Sequence, residues 1–445
     1  MEGLINMNKA KAQHESSNTF ICPPEGVDID SNIVATYYVE GKDISLLDAG
    51  VEIAVEESIG TWTEVTTATE FLVNNLPAKV FEAKTEDGKN AGVLKIAFPL
   101  ALFDYETGGI PNLLSIVAGN LFGIGALSNV RLLHLHFPKE YVKAFKGPKF
   151  GIEGVRKLVG TVEFRRPHLG TIIKPKVGLN PKETAKVAYE AASGGVDFIK
   201  DDETLTNQKF CPLDERVSNV VHALDRVKEE TGRTVLYAPD ITAEVYKIPE
   251  LADVALENGA PALMVDVITA GFSAVRLLAE DPSIKVPLHV HRCMHAAMTR
   301  NPKHGIAMMV IAELVRLAGG DQLHTGTAAG KMGGKEKGIK EMIEVNNFLR
   351  GEFYHLKNVF PVASGGLHPG IVPINVETLG KDIVIQAGGG IHGHPSGTRA
   401  GAKAMRQAID ATMKGIPIEK YAEEHEELKV ALEKWGFKFA EKNST

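Results

Sequence analysis

Between residues 170 and 415 the chain alternates short apolar runs with helical patterns eight times, and no other regularity in it limits the possible folds so strongly. The runs fall at 171–173, 196–200, 234–238, 262–267, 286–291, 322–324, 360–363 and 383–387, with a helical stretch in every gap. The first helix is marked by Asn180 as N-cap, Pro181 at the first helical position and Glu183 where a capping box needs it. The second carries Val217, Val220, Val221, Leu224 and Val227 on one stripe and stops at Gly232. Eight such units running one way close an α/β (β/α)8, or TIM, barrel, whose active site is built at the C-terminal ends of its strands.

A barrel takes roughly 250 residues, and the chain has 445, so a second domain is expected. Residues 1–137 read as a smaller α+β, ferredoxin-like domain: a strand at 33–38, a helix at 45–57, further strands to about 98, a helix at 112–121 and a strand at 131–136. The barrel then occupies 138–415, and 416–445 form a charged helical tail.

The strand-end rule selects residues. The second run closes as GGVDFIKDDE, with Lys200, Asp202 and Glu203 at its end. Alternate side chains of a strand share a face, so Lys200 and Asp202 point the same way. An ammonium group has no lone pair and cannot ligate a metal. Lys200 is therefore either salt-bridged, as in a structural ion-pair network, or converted by CO2 to a carbamate. In the second case the carbamate, Asp202 and Glu203 offer three anionic oxygens, a donor set suited to Mg2+.

Other strand ends add to this. TIIKPKVGL places Lys174 and Lys176 two apart around Pro175, and like charges facing one site repel, which suits a lysine to proton transfer near neutral pH. HVHRCMH sets His291 beside Arg292, a candidate phosphate clamp. HTGTAAGKMGG puts His324 at a strand end and Lys331 among glycines, the composition of a lid that delivers a cation on closing. Ser364, Gly365 and Gly366 follow the seventh strand and Gly388 and Gly389 the eighth, where barrels bind phosphate through bare backbone N–H groups. Two anion sites flanking a metal imply a substrate with phosphate at both ends, such as a sugar bisphosphate. The glycines at 388–393 also fit a dinucleotide fingerprint, but at the end of a barrel that signal is weak.

The net charge of −7 argues against a nucleic-acid or anionic-membrane partner. Three widely spaced cysteines indicate neither a disulfide framework nor a metal knuckle and fit a reducing cytoplasm. The first twenty residues lack an apolar core, and Lys95 and Pro99 break the greasiest stretch, so neither a signal peptide nor a spanning helix is expected.

Together these segments closely resemble the large subunit of ribulose-1,5-bisphosphate carboxylase/oxygenase (Rubisco), from about residue 30 to 415. EESIGTW and AGNLFG extend the resemblance into the smaller domain. It implies a carbamylated Lys200 holding Mg2+ with Asp202 and Glu203 and taking the C3 proton of ribulose 1,5-bisphosphate. Lys174, tuned by Lys176, would deliver the last proton; His291 would assist proton transfers on the hydrated intermediate; Lys331 would stabilise the carboxylate formed from CO2. Arg292, His324 and Ser364 would serve one phosphate end, and Gly365, Gly366, Gly388, Gly389, Thr61 and Trp62 the other. Glu56 and Asn120 correspond to residues the family supplies from a neighbouring subunit, which implies a homodimer or a multimer of dimers. Ile172, Thr325, a divergent N-terminal arm and a short tail resemble the archaeal, form III-like branch. That branch works without small subunits, often in nucleoside-monophosphate salvage, and also reacts with O2.

A metal-dependent amidohydrolase also pairs a carbamylated lysine with an H-x-H strand. There H-x-H precedes the lysine and softer metals are bridged, whereas here two acids adjoin the lysine and H-x-H follows three strands later. Oxygen ligands favour Mg2+ and imidazoles Zn2+, so metal preference separates the two readings.

Overall fold

The computed structural model describes residues 18–61, 63, 65–86, 90–330 and 336–437. They divide into two compact units. One comprises residues up to 145 together with 295–314, and the other comprises 146–294 together with 315 onward.

The first unit is built on a sheet of β1 (Asn32–Gly41), β2 (Lys79–Thr85), β3 (Ala91–Pro99) and β4 (Leu127–His136). Antiparallel pairing places β1 between β3 and β4, with β2 outside β3. Along β1 the buried positions alternate in its second half, as expected for a sheet with one covered face. The helix Leu46–Glu56 begins where Ser45 accepts from the Asp48 N–H, and it buries Leu46, Ala49, Ile53 and Ala54. The expected helix at 112–121 runs from Gly109 to Val117.

The second unit is an eight-stranded parallel sheet. Its strands are β5 (His168–Ile172), β6 (Phe198–Lys200), β7 (Leu236–Ala238), β8 (Leu263–Asp266), β9 (Leu288–His291), β11 (Gln322–His324), β12 (Phe360–Ser364) and β13 (Val384–Ala387). They run in the order β7-β6-β5-β13-β12-β11-β9-β8, and a parallel bridge between Asp240 and Met264 links the two ends of that order into a barrel. All eight expected strands are present. The intervening β10, Gly305–Ile306, pairs with β4 and belongs to the first unit, a long-range pairing that two residues cannot announce in sequence.

Phe198, Leu236, Met264, Phe360, Val362 and Val384 pack inside the barrel with Ile152 and Val155 of the helix Gly151–Val159. The capping box at Asn180 and Glu183 forms as expected. On the helix Leu213–Thr231, Val217, Val220, Leu224 and Val227 are buried, but Val221 lies at the edge of the stripe and Arg216 is buried instead. Arg216 is drawn in by Asp201, to which its Nε donates over 3.0 Å.

Charge also fixes the lower barrel. Asp197 accepts two bonds from Arg166, at 2.7 and 2.9 Å, one from Arg406 at 2.6 Å and one from the Leu169 N–H at 2.8 Å. Burial opposes this carboxylate, yet the two guanidinium groups hold its pKa far below the usual range.

Candidate active site

The register of the sheet sets Lys200 beside Ile172 on one side and Ala238 on the other, at the C-terminal ends of β5, β6 and β7. Lys200 is 1% exposed. Its Nζ donates to the Asp201 carbonyl at 2.8 Å and lies 3.3 Å from Glu203 Oε2. Burial raises the Glu203 carboxyl, but the charge of Lys200, with its hydrogen bonds, outweighs it and brings the pKa to about 2. Asp202 is buried; its Oδ2 accepts from Lys174 Nζ at 2.7 Å and its Oδ1 from Thr204 Oγ1 at 2.9 Å.

Three of the acids in this run thus have separate tasks. Asp202 and Glu203 face the two lysines. Asp201 turns away to accept from Arg216, from Tyr237 Oη at 2.8 Å and from the Asp240 N–H at 3.1 Å, and so serves the fold.

His291 stands between carboxylates, with Nε2 3.6 Å from Glu203 Oε2 and Nδ1 3.6 Å from Asp266 Oδ2. Its Nδ1 accepts the Cys293 N–H at 3.2 Å, so the proton of a neutral ring sits on Nε2, facing Glu203. Burial first, then the Lys200 charge, lowers the His291 pKa. Arg292 lies against the sixth loop, where a side chain on Gly326 would come within 3.3 Å of its guanidinium. Burial pushes Arg292 down to about 10 while Glu341 acts the other way, and an arginine remains charged at such a value.

His324 has both ring nitrogens engaged within the unit, Nε2 with His289 Nε2 at 2.8 Å and Nδ1 with Ser364 Oγ at 2.7 Å. Gly365 and Gly366 follow with φ of 120° and 75°, values that leave the chain free to turn its N–H groups outward. A Cβ on Gly388 would stand 3.1 Å from Lys174 Cε, so its bare backbone makes room for that side chain.

Not every expected residue joins this cluster. Lys176 is exposed, while Lys174 is part-buried against Asp202. Glu56 and Asn120 meet each other in the first unit, Asn120 Nδ2 donating to Glu56 Oε1 at 3.0 Å, and Thr61 is an exposed residue of the same unit. Gly389 opens the short helix Gly389–His392. Lys331 and Trp62 lie outside the described residues.

Two acids were missed in the sequence. Asp240, just beyond β7, and Asp266, the last residue of β8, occupy strand ends that the rule for barrels singles out. Asp240 is fully buried, with Oδ2 unpartnered among the described residues, and burial raises its pKa to about 8.

The family description "Ribulose bisphosphate carboxylase large chain, catalytic domain" matches residues 151–435, and its N-terminal domain counterpart matches residues 26–141. The chain belongs to the ribulose bisphosphate carboxylase large-chain family. It is 47% identical over 420 residues to the ribulose bisphosphate carboxylase of Methanocaldococcus jannaschii, covering 91% of this chain and 97% of that one. With that of Pyrococcus abyssi the identity is 46% over 406 residues, covering 91% and 93%. A crystal structure of octameric Rubisco from Pyrococcus horikoshii superposes with a TM-score of 0.88 at 43% identity, covering 95% of this chain and 98% of that one. The dimeric archaeal Rubisco of Hyperthermus butylicus gives 0.84 at 38% identity, covering 94% and 98%. This is an enzyme family, and the barrel with a smaller sheet domain is its large-chain fold. Among the described residues no helix is long and apolar enough to cross a membrane.

Proposed function

We propose that this chain is a ribulose-1,5-bisphosphate carboxylase/oxygenase, which adds CO2, or O2, to the enediol of ribulose 1,5-bisphosphate. With CO2 and water the products are two molecules of 3-phosphoglycerate. The observation that carries this reading is the buried Lys200, whose amine lies 3.3 Å from Glu203 beside a buried Asp202.

Among the described residues no three His, Cys, Asp or Glu side chains gather as a metal site. Asp202 and Glu203 provide two carboxylates, and the lysine completes the set only as a carbamate, which replaces a cation with a third anionic oxygen donor. Mg2+ held by Lys200, Asp202 and Glu203 would supply Lewis-acid polarisation of the substrate's oxygens.

The chain's own groups then divide the work. The carbamate on Lys200 takes the C3 proton. Lys174, already bonded to Asp202, gives the last proton back. His291 moves protons on the hydrated intermediate, and Lys331 steadies the new carboxylate. Arg292, with His324 and Ser364 beside it, receives one phosphate end; Gly365, Gly366, Gly388, Gly389, Thr61 and Trp62 receive the other. Glu56 and Asn120 complete the site of a neighbouring subunit, so the working unit is a homodimer or a multimer of dimers, without small subunits, in the cytoplasm.

The amidohydrolase alternative loses ground because His289 and His291 are held by Gln322, His324, Glu203 and Asp266 rather than turned together toward a metal. Purified protein given CO2, Mg2+ and ribulose bisphosphate should convert 14CO2 into acid-stable 3-phosphoglycerate. Hydrolysis or isomerisation of the bisphosphate without fixation would overturn the reading.

A further inference from the structure

Four buried or part-buried side chains form a hydrogen-bonded row across β9, β11 and β12. Gln322 Oε1 faces His289 Nδ1 at 2.7 Å, His289 Nε2 faces His324 Nε2 at 2.8 Å, and His324 Nδ1 faces Ser364 Oγ at 2.7 Å. The register of β11 against β9 sets Gln322 opposite His289, and that of β11 against β12 brings His324 alongside Val362, two residues short of Ser364. The row is therefore a product of the sheet itself.

Its direction follows from one end. An amide oxygen can only accept, so His289 must carry its proton on Nδ1. Its bare Nε2 must then accept, which puts the His324 proton on Nε2. The remaining His324 nitrogen, Nδ1, is bare and takes the hydroxyl proton of Ser364. Each ring carries a single proton because burial, aided for His289 by the nearby Lys200 charge, drives both well below the usual histidine range. His289 is also packed between the Phe198 ring, 4.7 Å away, and the His324 ring, 4.8 Å away, and so has no freedom to turn.

We propose that Gln322 and His289, which stand behind the site, are positioning residues that fix the proton of His324 on Nε2 and thereby make Ser364 an acceptor toward the substrate. The proposal deepens the carboxylase reading and rests on it only for the identity of the molecule that Ser364 meets. A serine hydroxyl is normally ambivalent. With its proton committed to His324, its free lone pair selects a donor, and in a sugar bisphosphate the donors are the hydroxyl groups of the carbon chain, since ionised phosphate oxygens only accept. Within the phosphate end that Arg292, His324 and Ser364 serve, Ser364 thus reads a hydroxyl of the carbon chain. A row set the other way would leave Ser364 free to donate and would blur that distinction.

The first test needs no turnover. In protein labelled with 15N-histidine, protonated and bare ring nitrogens resonate at well-separated shifts, and two-bond couplings identify each. The ligand-free wild type should show one ring protonated on Nδ1, absent in His289→Gln, and a coupled ring protonated on Nε2. The reverse pattern, with Gln322 donating through its amide nitrogen, or protonation of both nitrogens of either ring, overturns the proposal. Because this reading is independent of catalysis, a protein that failed to fix CO2 would still decide it.

The second test is a double-mutant cycle on steady-state kinetics. Gln322→Met fills the same space without an acceptor and should raise KM for the bisphosphate about tenfold with little change in kcat, as loss of one well-oriented hydrogen bond does. In a Ser364→Ala background the same change should move KM less than about twofold, because the route through Ser364 is already gone. Effects that multiply in full would show that Gln322 acts on packing and would sink the idea.

Discussion

Lys174 Nζ and Asp202 Oδ2 lie 2.7 Å apart, so a proposed proton donor is bonded to a proposed metal ligand. The pair joins the end of β5 to the end of β6, and it must open before Asp202 can turn both lone pairs to a cation. Lys174→Met should therefore abolish carboxylation yet leave the carbamate and Mg2+ site intact. Half-saturation by Mg2+, read from 13CO2 retained on the protein, should fall by up to about tenfold, the size of one charge-assisted bond partly screened by solvent. Loss of Mg2+-dependent 13CO2 retention would instead make Lys174 a structural part of the metal site.

Lys200→Arg keeps a cation between the carboxylates but cannot form a carbamate. It should be inactive at any CO2 concentration and should bind no Mg2+ by titration calorimetry. The larger side chain enters a closed space and costs about 1–3 kcal/mol of stability. In the wild type, activation by preincubation with CO2 should quicken as pH rises, because only the neutral amine reacts. An arginine variant that bound Mg2+ and fixed CO2 would return Lys200 to a plain ion pair.

The sequence carried this much because a barrel strand is a local signal. Apolar β-branched residues such as Ile172, Ile199 and Val290 mark the strands, and the residue that follows each top is exposed to chemistry by topology alone. Lys200, Asp202, Glu203, His291 and Ser364 could be found in that way. Asp240 and Asp266 obeyed the same rule and were missed because each follows a run with no second charged residue to draw notice. The partners within the site were not legible. Nothing in the spacing of Gln322, His289 and Ser364 says that three strands align them in one row, since strand register is decided by barrel closure. The alternation of the strand set Asp202 on the face of Lys200 and Asp201 on the other, but the partner that gives Asp201 its structural task, Arg216 from the helix after β6, was not legible.

Asp197 tests the lower barrel. Its carboxylate holds Arg166, Arg406 and the Leu169 N–H, and removing it leaves two part-buried guanidinium groups without their carboxylate partner. Asp197→Ala should cost about 3–5 kcal/mol in urea unfolding. The folded pKa lies below the unfolded value, so the stabilisation is whole above the ordinary aspartate range of about 4 and drains away as pH falls through that range toward the folded value. Asp197→Asn should flatten the loss of stability measured below about pH 4. An unchanged acid limb would mean that the cluster contributes no linkage.

Lys331 and Lys200 are assigned to different steps, one to the carboxylate formed from CO2 and the other to the C3 proton. Lys331→Ala should lose fixation by a factor of about 10²–10³, the usual effect of removing one group that stabilises a developing anion. Exchange of the C3 proton with solvent, followed by NMR, should persist. If exchange disappears along with fixation in a folded protein that still binds the bisphosphate, the two lysines do not divide the reaction in this way.

Glu56 and Asn120 are bonded to each other in the first unit, and the proposal gives both to a neighbouring chain's site. Two differently damaged subunits should then rescue one another. Glu56→Gln harms what a chain lends, and Lys331→Ala harms what it keeps. A two-fold mixed dimer therefore has one site with both defects and one with neither. Random assembly of equal amounts makes about half of the dimers mixed, so about a quarter of all sites are whole. Co-expressed or co-refolded mixtures should recover roughly that fraction of wild-type 14CO2 fixation, while each variant alone stays inactive. Native mass spectrometry establishes that mixed dimers are present. If they are present and fixation stays near zero, each barrel is completed by its own smaller domain, and the dimer has no catalytic basis.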